Sequence, residues 1–245
     1  VTTSTTARPQ QASWIAAMDQ LQGCVDEALS SRRDVRVLEA GCGSAAYVRF
    51  PEGARIVGID IDPHQLERNT ACDETILGDL ETYDLPPSTY DAIVCWYVFE
   101  HLRYPDHALV RFARAVRPGG VIVLALPNIM SPKGLITKYT PHWFHVAWRR
   151  YVLGRKHAGK PGHGPFPTTI PWTIAPERLL RLADSCDLEV AFEAFLEDGK
   201  QVQTREKVGL TGSRWERTKR LVARASKGRL DAARTELLLV LRRPV

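Results

Sequence analysis

The 245-residue chain is 44% hydrophobic and 25% charged, which excludes disordered and fibrous classes and suits one globular domain with an embellishment. Arg, Lys, Asp or Glu interrupts every apolar run, which excludes a membrane-spanning helix, and residues 1–6 lack the basic-then-apolar pattern of a secretory leader. Cys24, Cys42, Cys72, Cys95 and Cys186 are odd in number and scattered, without a C-x-x-C pair, so the expectation is a cytoplasmic protein with reduced thiols.

Residues 13–29 place Trp14, Met18, Leu21, Val25 and Leu29 at three- or four-residue spacing, which predicts a helix with one apolar stripe. Short apolar strands are predicted at 35–38, 55–60, 74–77, 90–95 and 121–126. Helical patterns fall between them, notably 106–116, closed by the breaker Pro118-Gly119-Gly120. Nearly continuous apolar strands alternating with helices imply an α/β fold: a parallel sheet covered on both faces.

The alternation stops at Pro127-Asn128. The stretch to about Pro171 is rich in Gly, Pro, His and aromatics, a length of loop that usually serves function, often as a lid. Alternation resumes with a helix over 175–183, a strand over 188–196, a basic helix over 215–225 and a last strand over 236–241. The division is therefore one domain over 1–245: an N-terminal helix region (1–34), a core (35–128), a lid insertion after strand 5 (129–172) and a C-terminal part (173–245).

Charge follows the same division. Residues 131–172 hold seven Lys/Arg and no Asp/Glu, and residues 199–245 hold thirteen against four. The total of +5 thus hides an acidic body carrying two basic segments, which draw phosphates, carboxylates, nucleic acid or a membrane surface, or serve only as a solvated face.

The sharpest local pattern is Val37-Leu38-Glu39-Ala40-Gly41-Cys42-Gly43, a strand running into a glycine turn where the backbone can approach a ligand closely. Seventeen residues after Gly43, Asp60 closes the next strand, placed to accept hydrogen bonds from both ribose hydroxyls. The third glycine of a dinucleotide fingerprint is missing. Glu39 also suits a cationic ligand, such as a sulfonium bearing an ammonium group, better than a pyrophosphate.

Residues 35–128 resemble the class I S-adenosylmethionine-dependent methyltransferases, especially the small-molecule branch that includes ubiquinone and menaquinone methyltransferases. The matching pieces are Leu38-Glu39-Ala40-Gly41-Cys42-Gly43, Val57-Gly58-Ile59-Asp60, Gly78-Asp79, Tyr90-Asp91-Ala92-Ile93-Val94, Glu100-His101-Leu102 and Arg117-Pro118-Gly119-Gly120. The resemblance implies a Rossmann-like sheet of seven strands, mostly parallel with the last antiparallel, and S-adenosylmethionine as cofactor. It places Glu39, Gly41 and Gly43 along the methionine part, Asp60 on the ribose, Ile61 against the adenine, Asp79 at the adenine amino group and Leu80 beside it.

On the acceptor side the cofactor brings the reactive carbon, and the protein positions the acceptor and removes a proton. His101, just past the fourth strand, is the first candidate base, with a structural role as its alternative. His145 and His163 in the lid are alternative bases. Glu100 and His101 also match half of an E-x-x-E-H metal pattern of related enzymes, with His163 as a later ligand. Tyr97 replaces the first glutamate and weakens such a site, so no metal is assigned. The expected partner is a small, anionic or polar acceptor, with RNA on the basic segments as the alternative and a non-catalytic cofactor-binding partner protein as a further one.

Overall fold

The computed structural model describes residues 9–44, 46–152, 154, 156–160 and 168–245. Seven strands form one sheet: β1 (Arg36–Ala40), β2 (Arg55–Asp60), β3 (Glu74–Leu77), β4 (Tyr90–Trp96), β5 (Val116–Pro127), β6 (Glu189–Leu196) and β7 (Glu236–Arg242). Their order is β3-β2-β1-β4-β5-β7-β6. β1 to β5 pair in parallel, and β7 runs antiparallel between β5 and β6. This is the expected seven-stranded, mostly parallel α/β sheet.

Every residue of β4 is buried, because helices cover both faces. On one face α1 (Pro9–Leu29) lays Leu21, Val25 and Leu29 against the sheet, the stripe read from the sequence. On the other, Leu109 and Phe112 of α3 (Pro105–Ala115) pack with Leu179 of α6 (Pro176–Ser185). The four-residue α2 (Pro63–Leu66) is the only helix between β2 and β3 among the described residues. No described residue between β1 and β2 is helical, so the interleaved helices are fewer than the pattern suggested.

Pro118-Gly119-Gly120 does not terminate a helix into a loop. It lies within β5, where the register with β4 jumps from Tyr90↔Val116 to Ala92↔Val121. Glycine is needed at 120 in this bulge because a Cβ there would stand 2.7 Å from the Asp91 carbonyl oxygen. Beside it the buried Asp91 carboxylate accepts from Arg32 Nη1 (2.7 Å), Arg117 Nη1 (2.8 Å) and the Arg36 amide (2.8 Å). Asp91 and Arg117 therefore hold the sheet edge opposite the Gly41–Gly43 turn.

The segment expected as loop contains α4 (Pro132–Tyr139), α5 (His142–Ala147) and a π turn at Trp148–Val152. Helix α4 starts because Ser131 Oγ accepts from the Gly134 amide (3.0 Å) with proline at the first helical position. Two further helices, α7 (Gly199–Lys207) and α8 (Gly212–Ala225), join β6 to β7.

Candidate active site

The carboxyl ends of the parallel strands form one edge, and the turn after β1 opens onto it. Gly41 and Gly43 adopt φ of +71° and +47°, a region that non-glycine residues enter with strain. The Gly41 and Cys42 amides both donate to the Ile59 carbonyl (2.7 and 3.1 Å), which presses the turn onto β2. A Cβ at Gly41 would fall 2.3 Å from a methyl of Val98, so the turn also abuts the loop after β4.

Asp60 ends β2 with both carboxylate oxygens oriented. Oδ2 accepts from the Gly43 amide and Oδ1 from the Asp62 amide, each at 2.9 Å. Ile61 beside it is 69% exposed, an apolar surface facing outward from the edge. Asp79 follows β3, where Oδ1 accepts from the Glu81 amide (2.8 Å), and Leu80 is buried.

Glu39 is buried in β1, and its Oε1 has no hydrogen-bond partner. Burial, with the Cys72 thiol nearby, pushes its carboxyl up to about 8. An orphaned acceptor behind two glycines, with an oriented carboxylate at the next strand end, fits a ligand carrying an ammonium and a ribose. S-adenosylmethionine carries both.

The other half of the edge is built from side chains that sequence reading did not bring together. Lys133 Nζ, in the first turn of α4, donates to Asp198 Oδ2 (2.9 Å) and Glu236 Oε1 (2.6 Å). Burial alone would lower the ammonium, but Glu236 and Asp198 hold it above its ordinary range. Tyr97 stands against this group in a left-handed backbone, φ +55°. That conformation is uncommon for an aromatic residue and recurs at functional sites. Burial and the facing Glu236 and Asp198 raise its phenol far above the ordinary value. Glu100 and Glu236 are 6% and 4% exposed, and each keeps one oxygen without a partner. Burial, reinforced by Glu236, pushes Glu100 up to about 8.

His101 follows Glu100 on the same loop, half-buried, with Nε2 4.0 Å from Glu100 Oε1 and its amide bonded to the Val98 carbonyl (2.8 Å). His101 thus stands on the loop whose Val98 abuts the Gly41 turn, next to Glu100. Residues 169–170 clamp the loop: the Thr169 and Ile170 amides both donate to the Glu100 carbonyl (3.0 Å each), and Thr169 Oγ1 donates to the Leu102 carbonyl (2.8 Å). Ile170 takes φ +38° there, and Lys138 Nζ of α4 donates to its carbonyl (2.6 Å). His145 lies within α5, with Nε2 2.8 Å from Thr140 Oγ1. His163 lies outside the described residues. Among the described residues, no three His, Cys, Asp or Glu side chains converge as metal ligands.

Residues 38–124 match a family model described as a methyltransferase domain. The chain carries a methyltransferase domain of the S-adenosylmethionine-dependent kind and resembles the class I enzymes. It is 29% identical over 175 residues to the ubiquinone biosynthesis O-methyltransferase of Dechloromonas aromatica, covering 67% of this chain and 68% of that protein. The chain spans 48% to 68% of the length of the first curated relatives it matches. Among solved structures, a SAM dependent methyltransferase from Archaeoglobus fulgidus superposes with a TM-score of 0.52 at 16% identity, over 92% of this chain and 94% of that one. The [4+2]-cyclase SpnF superposes at 0.54 with 18% identity, over 95% and 84%. At these identities the superpositions establish the shared fold.

Within this methyltransferase, the residues missed in the sequence are Tyr97, Lys133, Asp198 and Glu236. Lys133 lies 65 and 103 positions from its two partners, and no local pattern marks such a group. Tyr97 did carry a signal, since it stands where related enzymes have the first glutamate of their metal pattern.

Proposed function

We propose that the protein transfers a methyl group from S-adenosylmethionine to a hydroxyl, or an amine, of a small polar acceptor seated between the cofactor turn and the Tyr97–Lys133–Glu236 group. The observation that carries this reading is the edge itself. A ligand-ready turn at Gly41–Gly43 abuts Val98, and the loop bearing Val98 and His101 is clamped from above by residues 169–170. The O-methyltransferase among the relatives supports a hydroxyl acceptor.

Glu39 receives the ammonium of the cofactor, Gly41 and Gly43 admit its methionine part, and Asp60 holds the ribose. Ile61 and Leu80 flank the adenine, and Asp79 meets its amino group. The cofactor supplies an electrophilic methyl on sulfur. His101 takes the proton from the acceptor hydroxyl as it attacks, with His145 and His163 as the alternative bases. The segment 129–172 acts as the lid that excludes water. An anionic acceptor is drawn by the basic residues of that lid. The five cysteines are free thiols, and no described helix is long and apolar enough to cross a membrane. Both features support a cytoplasmic setting.

One observation favours RNA as the second reading: Arg214, Arg217, Arg220 and Arg224 are exposed along α8. The SpnF likeness keeps a third in view, since one fold hosts several chemistries. Methyl-labelled S-adenosylmethionine incubated with cell extract and fractionated separates them. Label in small molecules is expected. Label in RNA moves the acceptor to α8, and no transfer to any fraction removes methyltransfer.

A further inference from the structure

Two thiols meet beside the cofactor turn, and the proposed transfer uses neither. Cys42 sits between Gly41 and Gly43. Cys72 ends the turn begun by Asn69, whose Nδ2 donates to the Gly43 carbonyl (2.8 Å) and whose Oδ1 accepts from the Cys72 amide (3.0 Å). Both sulfurs stand over Gly58 of β2: a Cβ there would lie 2.7 Å from Cys42 Sγ and 2.6 Å from Cys72 Sγ. The absent side chain at 58 leaves the space over which the two sulfurs face each other. Cys42 is buried, whereas Cys72 is partly open to solvent.

The contact makes the two unlike. The neighbouring Cys42 draws the Cys72 thiol below its ordinary range, while Cys72 and burial push Cys42 up. Thiolate character with partial exposure marks the sulfur that reacts first, and a neighbouring thiol resolves the product.

We propose that Cys42 and Cys72 form a reversible disulfide on exposure to a peroxide, and that this bond weakens cofactor binding. The Cys72 thiolate attacks one peroxide oxygen. The O–O bond breaks, the departing hydroxide takes a proton to become water, and Cys72 is left as a sulfenic acid. Cys42 sulfur then displaces the hydroxyl and gives up its proton, so a second water leaves as the S–S bond forms. The two sulfurs are oxidised by two electrons in all, and hydrogen peroxide is reduced to two waters. A disulfide spans about 2.05 Å, shorter than a thiol contact, so the Gly41–Gly43 turn is pulled toward Asn69. The Gly43 amide that fixes Asp60 Oδ2 moves with it.

The effect on binding rests on the cofactor reading of Glu39, Gly43 and Asp60; disulfide formation does not. The full chain is reduced, treated with hydrogen peroxide, and divided between unreduced peptide mass analysis and calorimetric titration with S-adenosylmethionine. The expected result is a linked Cys42–Cys72 peptide pair and a Kd about tenfold weaker or more, restored by dithiothreitol. Cys72→Ser keeps the affinity of the reduced protein throughout. Peptides that stay unlinked under peroxide, or a linked protein of unchanged affinity, overturn the proposal. If the reduced protein binds no S-adenosylmethionine, the cofactor reading fails and with it the effect on binding, while the peptide masses still decide the disulfide.

Discussion

From Gly41 to Asp60 the edge of the sheet is set by main-chain atoms. The Ile59 carbonyl holds the turn, the Gly43 and Asp62 amides aim Asp60, and two glycines supply the clearance. Across the same edge, from Tyr97 to Glu236, the ties are side chains: Lys133 of α4, Asp198 just after β6 and Glu236 at the start of β7, with Tyr97 just after β4 against them. A main-chain site tolerates drift in the surrounding sequence and suits a cofactor that never changes. A side-chain site can be altered one residue at a time and suits an acceptor that differs between enzymes.

The hardest test of that division is Asp60→Ala. It should weaken S-adenosylmethionine binding by about 100-fold or more, since two charge-assisted bonds to ribose are lost; calorimetry that finds unchanged affinity misplaces the ribose. His101→Ala should leave that affinity alone and slow turnover by about 100-fold; a rate near the parent's passes the proton to His145, His163 or solvent. Lys133→Met leaves Asp198 and the buried Glu236 facing each other unpaired. It should cost about 2–3 kcal/mol in denaturant unfolding, below the fully buried case because Lys133 is part-exposed, again with S-adenosylmethionine affinity intact. A large loss of cofactor binding in that variant would mean the two halves are one unit.

The smallest effects are in pH. Glu39 titrates at about 8 in the free protein, and the cofactor's ammonium requires its carboxylate. Affinity should therefore rise with pH between 6 and 7.5, by up to about tenfold per unit, and Glu39→Gln should flatten the rise. Glu100 also titrates at about 8 against an ordinary 4.5. The folded state holds that proton longer than the unfolded chain, so its contribution to stability is present below about 4.5 and declines as pH rises toward 8. Melting of Glu100→Gln at pH 5 and pH 8 should show a shallower decline than the parent.

The turn from Gly41 to Asp60 was legible because its determinants are local: apolar runs, two glycines, and an acid at a strand end. The Tyr97–Glu236 group was not, because Lys133 finds Glu236 only after β7 has inserted beside β5. Between these extremes lies the segment 129–172, expected as loop although Ser131-Pro132 is a readable helix start. Helix α7 was missed because Gly199–Lys207 carries polar residues almost throughout and buries only Val202. Pro118-Gly119-Gly120 misled because its demand comes from the Asp91 carbonyl of the adjacent strand.

β7 comes last of the strands in the chain yet lies inside the sheet, between β5 and β6. As the polypeptide leaves the ribosome, β5 and β6 are both made before the strand that joins them. Each waits with an open edge of amides and carbonyls, and Lys133 waits with them for Glu236. The Lys133–Glu236 tie is therefore among the last of the sheet's contacts to form, whereas the bonds that fix Gly41, Gly43 and Asp60 join residues that follow one another closely in the chain.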